Sequence, residues 1–239
     1  MAISTNPLAW LRSVQPRRAI ALLLLLLPLT VGAQTVRDLW LSMPPSFAPY
    51  LNTSLRTQCL DFYDMHTDAQ TDNALKGKSR IDTLTSTFLA ATLSKAHTLQ
   101  MKLLPASGSA SGLGSSMVSG SGSSSSLSSC DSVLCVVRSW DGPKRDSEVQ
   151  LFDRQWKPLQ APLTFSADSF VCRPDTMSEE RFSRLVAMLD PIMFSVSLSP
   201  VENVLLVKLS PVVPNPEDEK AIEQILVQRK LKWNGKTFK

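Results

Sequence analysis

The chain has 239 residues, with 25 Lys+Arg against 21 Asp+Glu, two His and four Cys. At 43% hydrophobic and 19% charged it can bury a core, which excludes a wholly disordered chain. Two histidines are too few for a His-built metal centre beside a separate His-based catalytic site, and a net charge of +4 is a weak footprint for nucleic acid.

The first segment reads as an address. Arg12, Arg17 and Arg18 precede an apolar run from Ala19 to Leu29, closed by Val31-Gly32-Ala33 ahead of Gln34. This is the pattern of a cleaved secretory signal peptide over residues 1–33. The run is well short of the roughly 20 residues that span a bilayer, so no stable membrane insertion is expected after cleavage. Cleavage removes three Arg and no acid, taking the net charge from +4 to +1. The expected location is the periplasm or the exterior, and residues 34–239 are expected to form a single α+β domain.

Leu51, Leu55, Cys59 and Phe62 follow Pro49 at helical spacing and predict an amphipathic helix. Residues 73–79, with Gly77, read as a connector. Thr87 to Ser94 reads as a first strand, and Lys95-Ala96 as a tight joint. His97 to Leu104 alternates as a half-buried strand, and Ser132 to Ser139 is apolar on both faces, as a central strand is. Between them, residues 106–129 hold thirteen Ser and five Gly. Such a stretch cannot bury enough apolar surface to offset its ordering entropy, so it reads as a disordered loop inserted in a hairpin. Asp141-Gly142-Pro143 turns the chain into another strand over residues 144–153.

Thr176-Met177-Ser178-Glu179 fits a capping box, and Phe182, Leu185, Val186 and Leu189 give the helix behind it one apolar stripe. Phe194 to Leu198 and Val204 to Leu209 read as paired strands. Asn215-Pro216-Glu217-Asp218 starts a last helix, with Ala221, Ile222, Ile225 and Leu226 as its buried face. Leu231 and Trp233 then lead to Asn234-Gly235, a type I′ hairpin signal. Short connections make antiparallel pairing dominant. The fold class is α+β, a mostly antiparallel sheet with helices on one face; one sheet or two similar halves both fit the pattern.

Taken together, the blocks Leu39-Trp40-Leu41-Ser42-Met43-Pro44, Cys59-Leu60-Asp61-Phe62, Gly77-Lys78-Ser79 and Leu99-Gln100-Met101-Lys102-Leu103-Leu104-Pro105 are similar to a known family. So are Asp131-Ser132-Val133-Leu134-Cys135 and Phe152-Asp153-Arg154-Gln155-Trp156-Lys157-Pro158-Leu159. The chain resembles the Bacteroidales family of exported proteins catalogued as domain of unknown function 3256. The resemblance implies a secreted or periplasmic protein of a Gram-negative anaerobe. It implies no catalytic residue, because the family has no assigned activity to carry over. Asp82-Thr83-Leu84, Asp131-Ser132-Val133 and Asp175-Thr176-Met177 resemble a pattern used for O-linked glycosylation of exported proteins in that phylum. Each is also ordinary turn or cap chemistry.

The remaining constellations of reactive side chains are sparse. Cys59, Cys130, Cys135 and Cys172 permit a disulfide framework in an exported protein, yet Cys59 and Cys135 fall on apolar stripes and read as small buried hydrophobes. The spacing of Cys130 and Cys135 is not a zinc spacing. Cys59 and His66 lie two helical turns apart, but Asp61 and Asp64 make the setting negative, which disfavours a thiolate. The pairs Asp61/Asp64 and Glu179/Glu180 are too common to signal a glycosidase. Trp140 at a hairpin tip either anchors a partner or folds back over the sheet. Lys220, Arg229, Lys230, Lys232, Lys236 and Lys239 read as a solvated face.

No catalytic, metal-ligating or cofactor-binding residue is assigned, and no cofactor is implied. The expected function is a non-catalytic periplasmic or secreted binding module for an envelope or extracellular protein or glycan. The alternative is a hydrolase acting on envelope or dietary polymers through a site the sequence does not display.

Overall fold

Thr35 opens the first helix. Its hydroxyl accepts from the Asp38 amide, and the Asp38 carboxylate accepts from the Thr35 amide at 2.7 Å, a complete capping box for α1 (Val36–Ser42). A computed structural model describes residues 34–107, 132–213 and 215–239. The signal-peptide reading and nearly all of the Ser/Gly stretch lie outside them.

Helix α1 has no counterpart among the elements expected from the sequence. It buries Val36, Leu39 and Trp40, and a single turn of 3₁₀ helix (Pro45–Phe47) follows. Helix α2 (Thr53–Asp64) starts at Asn52, whose side chain accepts from the Leu55 amide at 3.0 Å. Pro49 therefore precedes the cap. Arg56 is buried here without a carboxylate. Its guanidinium donates to the Leu41 carbonyl at 3.1 Å, in the last turn of α1 where carbonyls lack helical partners.

Six strands follow in sequence order as one antiparallel sheet: β1 (Thr71–Asp72), β2 (Lys78–Leu84), β3 (Phe88–Ser94), β4 (His97–Pro105), β5 (Ser132–Asp141) and β6 (Arg145–Phe152). The expected connector at 73–79 is instead the β1–β2 turn and the start of β2. Asn73 builds it, accepting from the Leu75 and Gly77 amides and donating to the Ser79 hydroxyl and the Leu93 carbonyl, each at 3.0 Å. β2 escapes periodicity because only Ile81 and Leu84 among its seven residues are apolar. β4 and β5 pair from His97↔Trp140 to Pro105↔Ser132, so the Ser/Gly stretch connects neighbouring antiparallel strands. Ala106 and Ser107, its first two residues, are held: Ala106 is buried and the Ser107 amide donates to the Gly235 carbonyl at 3.0 Å.

Both faces of this sheet are covered. Leu89, Leu93, Leu99, Met101, Leu134 and Val136 pack in one cluster with α1 and α2. Leu104, Val133, Cys135, Val137, Val149 and Leu151 pack in another with the C-terminal part. That part holds α3 (Glu179–Ala187), β7 (Phe194–Leu198), β8 (Val204–Leu209), α4 (Pro216–Glu223) and β9 (Arg229–Lys232), with the three strands in a second antiparallel sheet. The α+β class therefore stands, realised as two sheets. Residues Gln34–Lys239 cluster as one unit.

The two sheets are joined by polar side chains as well as by apolar packing. Outward amides of edge strand β7 donate to the large sheet: Phe194 to Asp146 at 3.3 Å, Val196 to Ser147 at 3.1 Å, and Leu198 to Gln100 at 2.7 Å. Lys102 is buried, and its ammonium donates to the Ser199 and Glu202 carbonyls at 2.6 and 2.7 Å, pinning the β7–β8 turn to β4.

Two local expectations are corrected. The cap of α3 is Ser178, which accepts from the Arg181 amide, so the reciprocal box from Thr176 does not form. At the C-terminal hairpin only Gly235 has positive φ (93°), which is incompatible with type I′ at Asn234-Gly235. Asn234 instead accepts from the Lys236 and Thr237 amides at 2.9 Å.

Candidate binding cleft

The end of α2 shapes a concavity beside the large sheet. The Thr67 amide donates to the Phe62 carbonyl at 3.2 Å and the His66 amide to the Tyr63 carbonyl at 3.0 Å, the two bonds of a Schellman motif. Glycine usually fills the left-handed position of that motif. Here His66 fills it, with φ 52°. The chain then runs through Thr67, Asp68 and Ala69 into β1, leaving a cleft of about 400 Å³ between α2 and β2. Cys59, Phe62 and Tyr63 form the helix wall, Ser79 to Asp82 the strand wall, and His66, Asp68 and Ala69 the rim.

Tyr63 divides this cleft from a second one of about 320 Å³, which Thr35, Arg37, Leu84, Thr85 and Ser86 also line. Its hydroxyl accepts from the Leu84 amide at 3.1 Å and donates to the Leu84 carbonyl at 3.4 Å. Arg37 closes the outer side through a two-pronged pair with Asp64, at 2.8 and 2.5 Å, which holds the Asp64 carboxyl below its usual range.

Cys59 and His66 do line the same cleft, but not as a nucleophile and its base. Cys59 is 2% exposed, its sulfur faces the Ser79 carbonyl at 3.9 Å, and burial pushes its thiol up. Cys135 is buried as well and its thiol is also pushed up by burial; Cys172 is exposed and Cys130 lies outside the described residues. Asp64 is taken by Arg37, and Glu179 pairs with Arg173 at 3.1 Å. Among the described residues, no group of three or more His, Cys, Asp or Glu gathers as metal ligands. Nor is any helix among them long and apolar enough to cross a membrane.

Trp140 lies within β5 rather than at the hairpin tip. Its ring stacks on His97, with centroids 5.3 Å apart and planes 7° from parallel, and the Arg138 guanidinium is 5.4 Å from its centroid. His97 is buried and meets the Tyr50 hydroxyl at 2.5 Å through Nδ1. Of the Asp-Ser/Thr triplets, Ser132 is buried and accepts from Arg154 at 2.9 Å, Thr83 lies in β2, and Thr176 is exposed.

An antiparallel α+β frame with a cleft along one sheet edge defines the class. The chain belongs to the family described as protein of unknown function (DUF3256), whose model matches residues 28–119 and 123–238. A solved domain of an uncharacterized protein from Porphyromonas gingivalis W83 shares the fold, with a TM-score of 0.61 at 23% identity over 85% of this chain and 98% of that one. No curated protein matches.

Proposed function

We propose that this protein is exported through a cleaved leader and acts as a non-catalytic binding module for an envelope or extracellular component. The observation that carries the binding role is His66. A β-carbon in the left-handed region costs roughly 1 kcal/mol that glycine would avoid; of the described non-glycine residues that bear it, His66, Lys76 and Trp156, His66 is the one on the rim of the cleft. The neighbouring Cys59 is too buried for nucleophilic work, so the cleft is suited to recognition. The leader pattern at residues 1–33 supports export.

The export reading expects an N-terminus at Gln34 by mass spectrometry of the protein recovered from the producing cells; an intact leader overturns it. For binding, a photo-crosslinking side chain at exposed position 69 should give a few discrete adducts in those cells. His66→Gly should leave thermal stability equal or higher and remove the adducts. Adducts that persist in His66→Gly, or that match those from a crosslinker at Thr176, overturn the role of the cleft.

A further inference from the structure

We propose that the outer edge of β2 is a strand-addition site that takes an extended, basic peptide segment of a partner protein. This rests on reading the cleft as a binding surface and names what it binds.

Strand edges left with bare backbone groups recruit other strands unless they are covered. Among the described residues, β1 is an edge of only two residues, and the remaining edges are covered or charged. β6 is covered where the Leu159 and Leu163 amides donate to the Leu151 and Val149 carbonyls at 3.0 and 2.8 Å. β7 is capped by Asp146, Ser147 and Gln100. β9 is exposed Arg and Lys, and Lys239 exchanges two backbone bonds with Lys232 at 2.6 and 3.0 Å.

β2 is covered only in pieces. β1 pairs with Lys78 and Ser79 and then ends. The Asn73 amide bonds the Gly77 carbonyl across the turn, so alternation aims the backbone groups of Ser79 and then Ile81 at the outer side. Past β1, the outer side of Ile81 is the cleft. A bulge between Ile81 and Thr83 shifts the phase, which brings the Leu84 groups outward as well. There the Tyr63 hydroxyl both accepts from the amide and donates to the carbonyl, doing with one oxygen what a neighbouring strand does with a peptide unit. The two cavities flanking Tyr63 give room for side chains of an added strand. Charge selects further. Arg37 is neutralised by Asp64 and Arg80 by Asp82, while Asp68 on the rim has no ion pair among the described residues. A peptide with Lys or Arg near that end is the complementary partner.

The test is selection of a phage-displayed library of linear dodecapeptides on the purified protein, followed by amide hydrogen exchange with the best synthetic peptide. The expected result is an enriched set with a basic residue, slowing exchange of the Ile81 amide at least tenfold. Asp68→Lys should weaken binding at least fivefold and Trp140→Ala should leave it unchanged; both sites are surface positions, and the melting temperature checks folding. No enrichment, or protection confined to other elements, overturns strand addition while the wider binding reading stands or falls on the crosslinking result. Cleavage of the bound peptides overturns both.

Discussion

His97 closes the corner where β4 begins, and it is an acid-sensitive closure. Burial, then the nearby Arg138 charge, holds its imidazole below the ordinary pKa. The unfolded chain therefore binds a proton more readily, near pH 6.5. Stability from this residue is complete above that value and is lost as pH falls through the lower folded value. The melting temperature should drop between pH 7.5 and 5 more in the wild-type protein than in His97→Gln. Equal drops would mean that His97 stays neutral or is solvated in the fold. At pH 7.5 the variant should be less stable by about 1 kcal/mol, from the altered bond to Tyr50. Lys102 shows the opposite use of a buried cation. Burial lowers its pKa too, yet two carbonyls fix the ammonium where a sequence reading of β4 places a solvent-facing residue.

At the scale of elements, the capping of β7 is testable. Gln100→Leu removes the acceptor of the Leu198 amide and leaves that donor inside the sheet–sheet contact. Urea denaturation should show a loss of about 1–3 kcal/mol with an unchanged slope. A loss below about 0.5 kcal/mol would show that water takes over the amide. Elements with strong apolar patterning were legible: α2, α3 and α4 by helical spacing, β5 by an apolar run on both faces, and β3, β4 and β6 to β8 by their apolar strand pattern. Those that were missed lack it. α1 is seven residues long and is defined by Thr35 and Asp38 rather than by a repeat. β2 has a bulge that breaks its alternation. The candidate cleft was half legible for the same reason. Cys59 and His66 stand at a spacing that draws notice, but the wall facing them is the strand whose pattern is weakest, and no linear signal reveals an uncovered edge.

For the whole molecule, the inserted Ser/Gly stretch is the part whose removal says most. Pro105 faces Ser132 across the sheet, so a short turn suffices to join β4 to β5. Replacing residues 108–131 by a four-residue turn should keep the fold and raise stability by up to about 2 kcal/mol, through the smaller loop-closure entropy. Retaining Ala106 and Ser107 matters, because Ala106 is buried and the Ser107 amide donates to the Gly235 carbonyl of the C-terminal hairpin. A melting temperature lowered by several degrees would give the insertion a structural role.

The acceptors offered to β7 also bear on how the two sheets come together. The six-stranded meander joins each strand to its neighbour in sequence, through short turns except where the Ser/Gly stretch links β4 to β5. Were the meander to form first, β7 would meet Gln100, Ser147 and Asp146 already arranged, and its pairing with β8 needs only a short turn. The first sheet would then serve as a template for the second. A chain stopped before residue 194 would present that template vacant, with Gln100 and Lys102 uncovered on a largely apolar face, the kind of surface by which a quality-control protease recognises an unfinished protein.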